Sequence, residues 1–352
     1  AIGLNGFEVY LDGRKIAARS NIHERGYSTA PVQLEAGKLY ALRVDFHETV
    51  NDADIHLVWA PPEPGLEQEA LTAARQADAV VLVMGLSPRL EGEEMDVPVE
   101  GFAGGDRVTL DLPKVQQDLM QKIVAVGKPT VLVLLNGSAL GVNWARDHVP
   151  AILETWYPGQ TGGAAIADVL FGDYNPAGRL PVTFYQSAQQ LPPFSDYAMK
   201  GRTYRYFEGQ PLYPFGYGLS YTTFLYRNLQ VAPEVSAGNA VRVSADVLNS
   251  GQMAGEEVVE LYVRRPGAMP IRSLAGFVRT RLQPGERKTV DFQIAPAQLA
   301  TVGADGTRTV NPGDVEISFG GKQPGFEGAA NAATTEVLTR VVKLTGAAVV
   351  LP

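Results

Sequence analysis

The chain has 352 residues, 45% of them hydrophobic, enough for two or three domains with cores of their own. Its 30 basic and 38 acidic side chains give a formal charge of −8 and are spread along the sequence, which argues against the clustered basic patch of a nucleic-acid-binding protein. Without cysteine there is no disulfide framework, thiolate nucleophile or cysteine-based zinc site, and no apolar run approaches the ~20 residues of a membrane-spanning helix.

The opening AIGLNGFEVYLDG reads as ordered strand, without the basic-then-apolar order of a signal peptide. Phe7, Val9 and Leu11 alternate with Glu8 and Tyr10, and Asp12-Gly13 supplies a hairpin signal. Tyr40, Leu42, Val44 and Phe46 alternate again, and Ile55, Leu57 and Trp59 predict a third strand. The proline-rich stretch Pro61-Pro62-Glu63-Pro64-Gly65 marks a boundary. Beyond it a helix is expected over 66–76, then a buried parallel strand over 79–84 (AVVLVM). Lys114–Val126 places Val115, Leu119, Ile123 and Val126 on one helical face. Further strands are expected at 129–135 and 151–156, and a helix over 161–170 with Thr161 as its N-cap. Strand alternating with helix predicts a parallel α/β sheet. Residues 175–225 are irregular and rich in Pro, Tyr and Gly. Thereafter Val241–Val247, Val259–Val263 and Val290–Ile294 alternate between turns, predicting an antiparallel sandwich.

The densest acidic cluster, Glu91-Gly92-Glu93-Glu94-Met95-Asp96, directly follows the 79–84 strand, at the end where open α/β sheets place ligands. Crowded carboxylates raise one another's pKa, so such a cluster can supply a general acid; as a bare pattern it reads first as a solvated acidic loop. Gly137-Ser138-Ala139 lacks the preceding glycine of a nucleophile elbow, and the four histidines show no metal-ligand spacing. Gly159–Gly163 carries no Gly-Lys-Ser/Thr, so it reads as a tight turn before a helix. The tyrosines at 204, 206, 213, 217 and 221 admit either packing or sugar stacking.

Five ordered landmarks over about 135 residues resemble glycoside hydrolase family 3. They are Gly85–Glu93 followed by Gly105-Asp106-Arg107 to Pro113; Trp156-Tyr157-Pro158-Gly159-Gln160 with Gly162-Gly163; Leu170–Pro181; Tyr204–Phe207; and Tyr213–Tyr221. The resemblance implies a multidomain chain, α/β plus all-β. Residues 1–62 would be the C-terminal part of an inserted carbohydrate-associated β-barrel of protective-antigen type. Residues 63–226 would be a parallel α/β sandwich domain bearing the acid/base loop, and 227–352 a fibronectin type III-like β-sandwich. It also implies a (β/α)8 barrel of roughly 250 residues or more upstream, on a separate chain or lost.

Glu93 matches the second glutamate of the family's Glu-x-Glu element and is the expected acid/base. Glu91 is the alternative, because the segment Glu94–Gly104 separates that element from the Asp-Arg pair. Asp106 and Arg107 are expected to anchor the loop. The family's nucleophile, an aspartate in a Ser-Asp-aromatic motif on a barrel strand, is expected to be absent; Ser195-Asp196-Tyr197 lies in an irregular segment instead. The implied activity is exo-acting retaining hydrolysis of β-glucosides, with β-xylosides as the alternative, without metal or cofactor. A periplasmic or secreted bacterial protein is the expected setting. From another class, a non-catalytic carbohydrate-binding module would also use two β domains.

Overall fold

The computed structural model describes residues 2–3, 6–20, 26–47, 55–59, 65–88, 90–91, 97, 99–103 and 106–352. Its contacts divide the chain into two compact units, 1–138 with 147–156, and 139–146 with 157–352.

The first unit opens with two three-stranded antiparallel sheets. In one, β1 (Ile2–Gly3) lies between β4 (Gly26–Tyr27) and β6 (Ile55–His56); in the other, β2 (Gly6–Leu11) lies between β3 (Arg14–Arg19) and β5 (Leu42–His47). The β2–β3 hairpin turns through Asp12-Gly13, both at positive φ (46° and 78°). That is the type I′ geometry whose twist matches paired strands. Phe7, Val9 and Ala17 are buried against Ile16, Val44, Phe46 and Ile55. Burying Phe7 or Val9 contributes roughly 1.5–3 kcal/mol each. The strand expected through Trp59 is shorter than its pattern: it ends at His56, and Leu57 and Trp59 are exposed.

The α/β part follows. Helix α1 (Leu66–Gln76) packs on α2 (Lys114–Val124), where Lys122 Nζ meets Glu67 at 2.6 Å. The parallel sheet runs β11 (Ala151–Glu154), β10 (Thr130–Leu135), β7 (Val80–Gly85), in register from Val80↔Thr130 and Ala151↔Val131. A ribbon of β8 (Phe102–Ala103) and β9 (Asp106–Arg107) completes it; a short helix, α3 (Asn143–His148), is divided between the two units after Arg146.

Two expectations need correction here. Strand β7 is not buried throughout: Leu82 and Met84 are buried, but Val81 and Val83 are 50% and 56% exposed, because no element covers that face of the outer strand among the described residues. On α2 the inward residues are Met120 and Ile123, whereas Val115 is 74% exposed. Gln116 takes the inward place near the helix start and spends its amide on β7, accepting from Gly85 N and donating to Gly85 O, both at 2.8 Å. Leaving the strand-end amide and carbonyl of Gly85 unpaired would cost about 1–3 kcal/mol for each group.

In the second unit α4 (Gly162–Phe171) starts at Thr161, which occupies the N-cap position but forms no side-chain cap. The irregular segment is held by its own landmarks. Asn175 Oδ1 accepts from Ser220 Oγ and Tyr221 N, and Leu180 N donates to Tyr217 O. The tyrosine cluster packs on itself beside the one-turn helix α5 (Thr203–Tyr206): Tyr204 stacks on Phe215 at 4.2 Å, and Tyr213 lies 4.8 Å from Tyr217. The expected sandwich pairs a sheet of β12 (Phe224–Val231), β14 (Val241–Asn249) and β17 (Arg287–Ile294) with a five-stranded sheet. The latter is formed by β13 (Glu234–Ser236), β15 (Gly255–Arg264), β16 (Ser273–Leu282), β20 (Gly313–Gly320) and β21 (Val337–Thr345). The inward positions of both, among them Phe224, Val243, Val247, Leu261, Ile317 and Phe319, make one core. After α6 (Pro296–Leu299), a small sheet of β18 (Thr301–Val302), β19 (Arg308–Val310) and β22 (Val349–Leu351) closes the fold.

Candidate functional site at the ends of the parallel strands

The C-terminal ends of β7, β10 and β11 lie side by side, and each delivers polar residues directly after an apolar run. Strand β7 ends on Gly85 at φ 143°, where an added Cβ would stand 1.9 Å from Leu135 O, so only glycine lets the chain turn away this close to β10. Leu86 N then donates to Leu135 O at 2.7 Å, and Leu90 and Glu91 turn back onto Ser87 O.

That turn aims Glu91 at the segment leaving β10. Its carboxylate accepts from Gly137 N at 3.1 Å and from the hydroxyl of Ser138. Arg107, at the far end of the same loop in β9, donates from Nη1 to Ser138 Oγ at 2.8 Å. A guanidinium can only donate, so the hydroxyl proton points to Glu91, which therefore accepts on both oxygens. Asn136, fully buried, holds the turn from below: its Nδ2 donates to Ser138 O (2.9 Å) and to Glu154 Oε2 (3.3 Å). Glu154 ends β11 and also accepts from Trp156 N at 3.0 Å, where Trp156 sits at φ 53°. Burial pushes the Glu154 carboxyl up to about 7, against the pull of the Trp156 and Asn136 hydrogen bonds.

Of the residues expected from the sequence, Glu91 and Arg107 thus meet at one hydroxyl, and Asp106 pairs across the ribbon with Ala103 while its side chain stays exposed. Glu93 lies outside the described residues, as do Glu94 and Asp96. Asp196 accepts from Ala198 N at 2.9 Å in an exposed turn flanked by Phe194 and Tyr197, both about nine-tenths exposed. Sequence reasoning missed Asn136, Ser138 and Glu154. The signal was there: each stands at or just past the end of an apolar strand, the place where α/β sheets carry their sites. Among the described residues no group of side chains is arranged to hold a metal ion, and no helix is long and apolar enough to cross a membrane.

Residues 257–323 match the fibronectin type III-like domain. A xylan 1,4-β-xylosidase from Xylanibacter ruminicola is 38% identical over 319 residues, covering 89% of this chain and 37% of that protein. The periplasmic β-glucosidase of Salmonella typhimurium is 42% identical over 242 residues, covering 64% and 30% respectively. The solved β-glucosidase of Kluyveromyces marxianus superposes with a TM-score of 0.76 at 25% identity, over 99% of this chain and 42% of that one. The chain therefore spans well under half the length of these relatives. Residues 12–221, which carry the parallel sheet, the Glu91–Ser138–Arg107 contacts and the landmarks that follow, match the glycosyl hydrolase family 3 C-terminal domain, and the chain belongs to that family.

Proposed function

We propose that the complete protein is an exo-acting retaining β-glycosidase that removes terminal non-reducing β-D-glucosyl residues, with Glu93 of this chain as the acid/base. The observation that carries the reading is the loop between Glu91 and Arg107, tied at both ends to the turn after β10, at the ligand end of a parallel sheet. Glu91 already accepts two hydrogen bonds from that turn, and such a carboxylate anchors better than it donates. This favours Glu93, two residues on, as the group facing substrate. In this mechanism Glu93 protonates the glycosidic oxygen while an aspartate attacks the anomeric carbon; Glu93 then deprotonates the water that releases the sugar.

The aspartate is assigned to an N-terminal (β/α)8 barrel outside this chain. Two observations support an additional segment: the relatives' greater length, and the uncovered apolar face of Val81 and Val83 on a strand type normally buried on both faces. A β-xylosidase is the second reading, favoured by the Xylanibacter ruminicola relative that bears that name and matches 89% of the chain.

The test is hydrolysis of aryl β-glucosides and aryl β-xylosides by the complete protein. Glu93→Ala is expected to lose about 10²–10⁴-fold in turnover, the usual worth of a general acid/base. Azide, which needs no base, should restore turnover to a glycosyl azide, and the preferred sugar decides between the two readings. A fully active Glu93→Ala sinks the assignment; rescue seen with Glu91→Ala instead moves it by two residues.

A further inference from the structure

We infer that the cleft beside the β15–β16 connection is a binding site for an acidic sugar, a monoanionic carboxylate that also carries hydroxyls. The cleft, of about 640 Å³, lies wholly within the second unit. Arg264 ends β15, Arg265 and Arg272 belong to the connection that follows, Glu316 comes from β20, and Glu208 lies just after α5. Two of the three guanidiniums have acceptors. Arg265 donates from Nε to Leu299 O at 3.0 Å and from Nη2 to Asn311 O at 2.7 Å, and Arg264 Nη1 meets Glu316 Oε2 at 3.4 Å. Arg272 differs. Half-buried, its side chain donates no hydrogen bond and enters no ion pair among the described residues, and its guanidinium rests over the Phe326 ring, 5.5 Å from the centroid.

Taking a guanidinium out of water is costly, and only acceptors at its nitrogens offset the cost. Burial holds the Arg272 guanidinium below its ordinary range, and Arg264 lowers it further. The chain on both sides of Arg272 is fixed: Ile271 N donates to Arg205 O at 2.8 Å, and Ser273 Oγ accepts from Arg205 Nη2 at 3.4 Å. Its planar fork is therefore presented in place, in the shape that takes a carboxylate or a phosphate through two parallel hydrogen bonds. The two glutamates decide between those anions. Three guanidiniums set against Glu208 and Glu316 leave the cleft one formal positive charge, which suits a monoanion better than a phosphate dianion. An ionised glutamate can only accept, so Glu208 and Glu316 would take the hydroxyl donors of the ligand. A carboxylate with neighbouring hydroxyls is the chemistry of a sugar acid.

The complete protein provides the test, titrated calorimetrically with glucuronate and with inorganic phosphate. Saturating glucose is present throughout, to fill any site for a neutral sugar. Glucuronate is expected to bind saturably, and phosphate about 10-fold more weakly. Arg272→Ala should lower the glucuronate affinity about 10–100-fold, the worth of hydrogen bonds to a charged group, with kcat/KM on aryl glycosides unchanged. Arg272→Lys should recover only part of the loss, since it keeps the charge without the fork. Absent glucuronate binding, binding that Arg272→Ala leaves intact, or phosphate bound as tightly as glucuronate overturns the inference. A second measurement needs no variant. Phenylglyoxal labels accessible guanidiniums, and glucuronate should slow the labelling of Arg272 in the wild type several-fold relative to glucose, as read by peptide mass spectrometry. Unaltered labelling overturns the site. The inference does not rest on the glycosidase reading, so a fully active Glu93→Ala would leave it standing.

Discussion

The carboxylates at the ends of the parallel strands and those inside the β-sandwich are held in different ways. Glu257 on β15 is completely buried and meets Arg179 Nη2 at 2.6 Å, with Tyr226 OH at 2.8 Å and the Thr335 hydroxyl as further donors. Arg179, almost as deeply buried, also donates to Gly321 O. Burial pushes the Glu257 carboxyl up, and Arg179 and the hydroxyls oppose the rise. Nearby, Glu260 is 3% exposed and accepts from Tyr262 OH at 2.8 Å; burial lifts its carboxyl to about 8. Glu91, by contrast, is partly exposed and bound by a backbone amide and a hydroxyl. Buried carboxyls are raised in both regions, Glu154 at the strand ends to about 7 and Glu260 in the sandwich to about 8. A shifted pKa marks burial first, and only position and open surroundings distinguish a reactive group from a structural one.

The comparison breaks or sharpens by mutation. The largest stability effect is expected from Glu257→Ala, which strands Arg179 inside the sandwich and should cost about 3–5 kcal/mol. Calorimetry of Glu257→Ala with and without Arg179→Met checks it: the double variant should recover part of the loss. Glu91→Ala should cost less, about 1–3 kcal/mol, the worth of a partly exposed carboxylate that accepts from the Gly137 amide and the Ser138 hydroxyl. Equal costs at 91 and 257 would erase the distinction.

A second effect, of comparable size, concerns pH. Glu260 titrates at its ordinary 4.5 when unfolded and at about 8 when folded. Between those values the folded state holds a proton that the unfolded chain has lost. Stability from this group is thus fully present below pH 4.5 and declines as pH rises towards 8, by at most about 1.4 kcal/mol per unit. Glu260→Gln should flatten the decline, which unfolding temperatures across pH 5–8 would reveal; an unchanged slope would mean that the group is not protonated in the fold.

The smallest effect is expected at Glu154. The same sign applies over the narrower window from 4.5 to about 7, so Glu154→Gln should remove a smaller pH dependence of stability than Glu260→Gln does. An equal pH dependence in urea unfolding would instead place Glu154 with the sandwich carboxylates.

Local pattern sufficed for much of this protein. Period-two alternation found β2, β14, β15 and β17, the Asp12-Gly13 pair found its hairpin, and the apolar runs found β7 and β10, because each of those signals is written in neighbouring residues. The position of the acidic cluster after a parallel strand likewise pointed to one end of the sheet. What local pattern missed is whatever depends on a distant partner. Periodicity favoured Val115 as the inward residue of α2, but the backbone of Gly85, 31 residues earlier, needed the amide of Gln116. Ser138 looked like a failed nucleophile elbow, and its contacts emerged only once folding brought Glu91 and Arg107 to its hydroxyl. The Arg179–Glu257 pair, 78 residues apart, belongs to the same class. Hydrogen bonds between residues so far apart leave no period in the chain, so only the tertiary structure decided them.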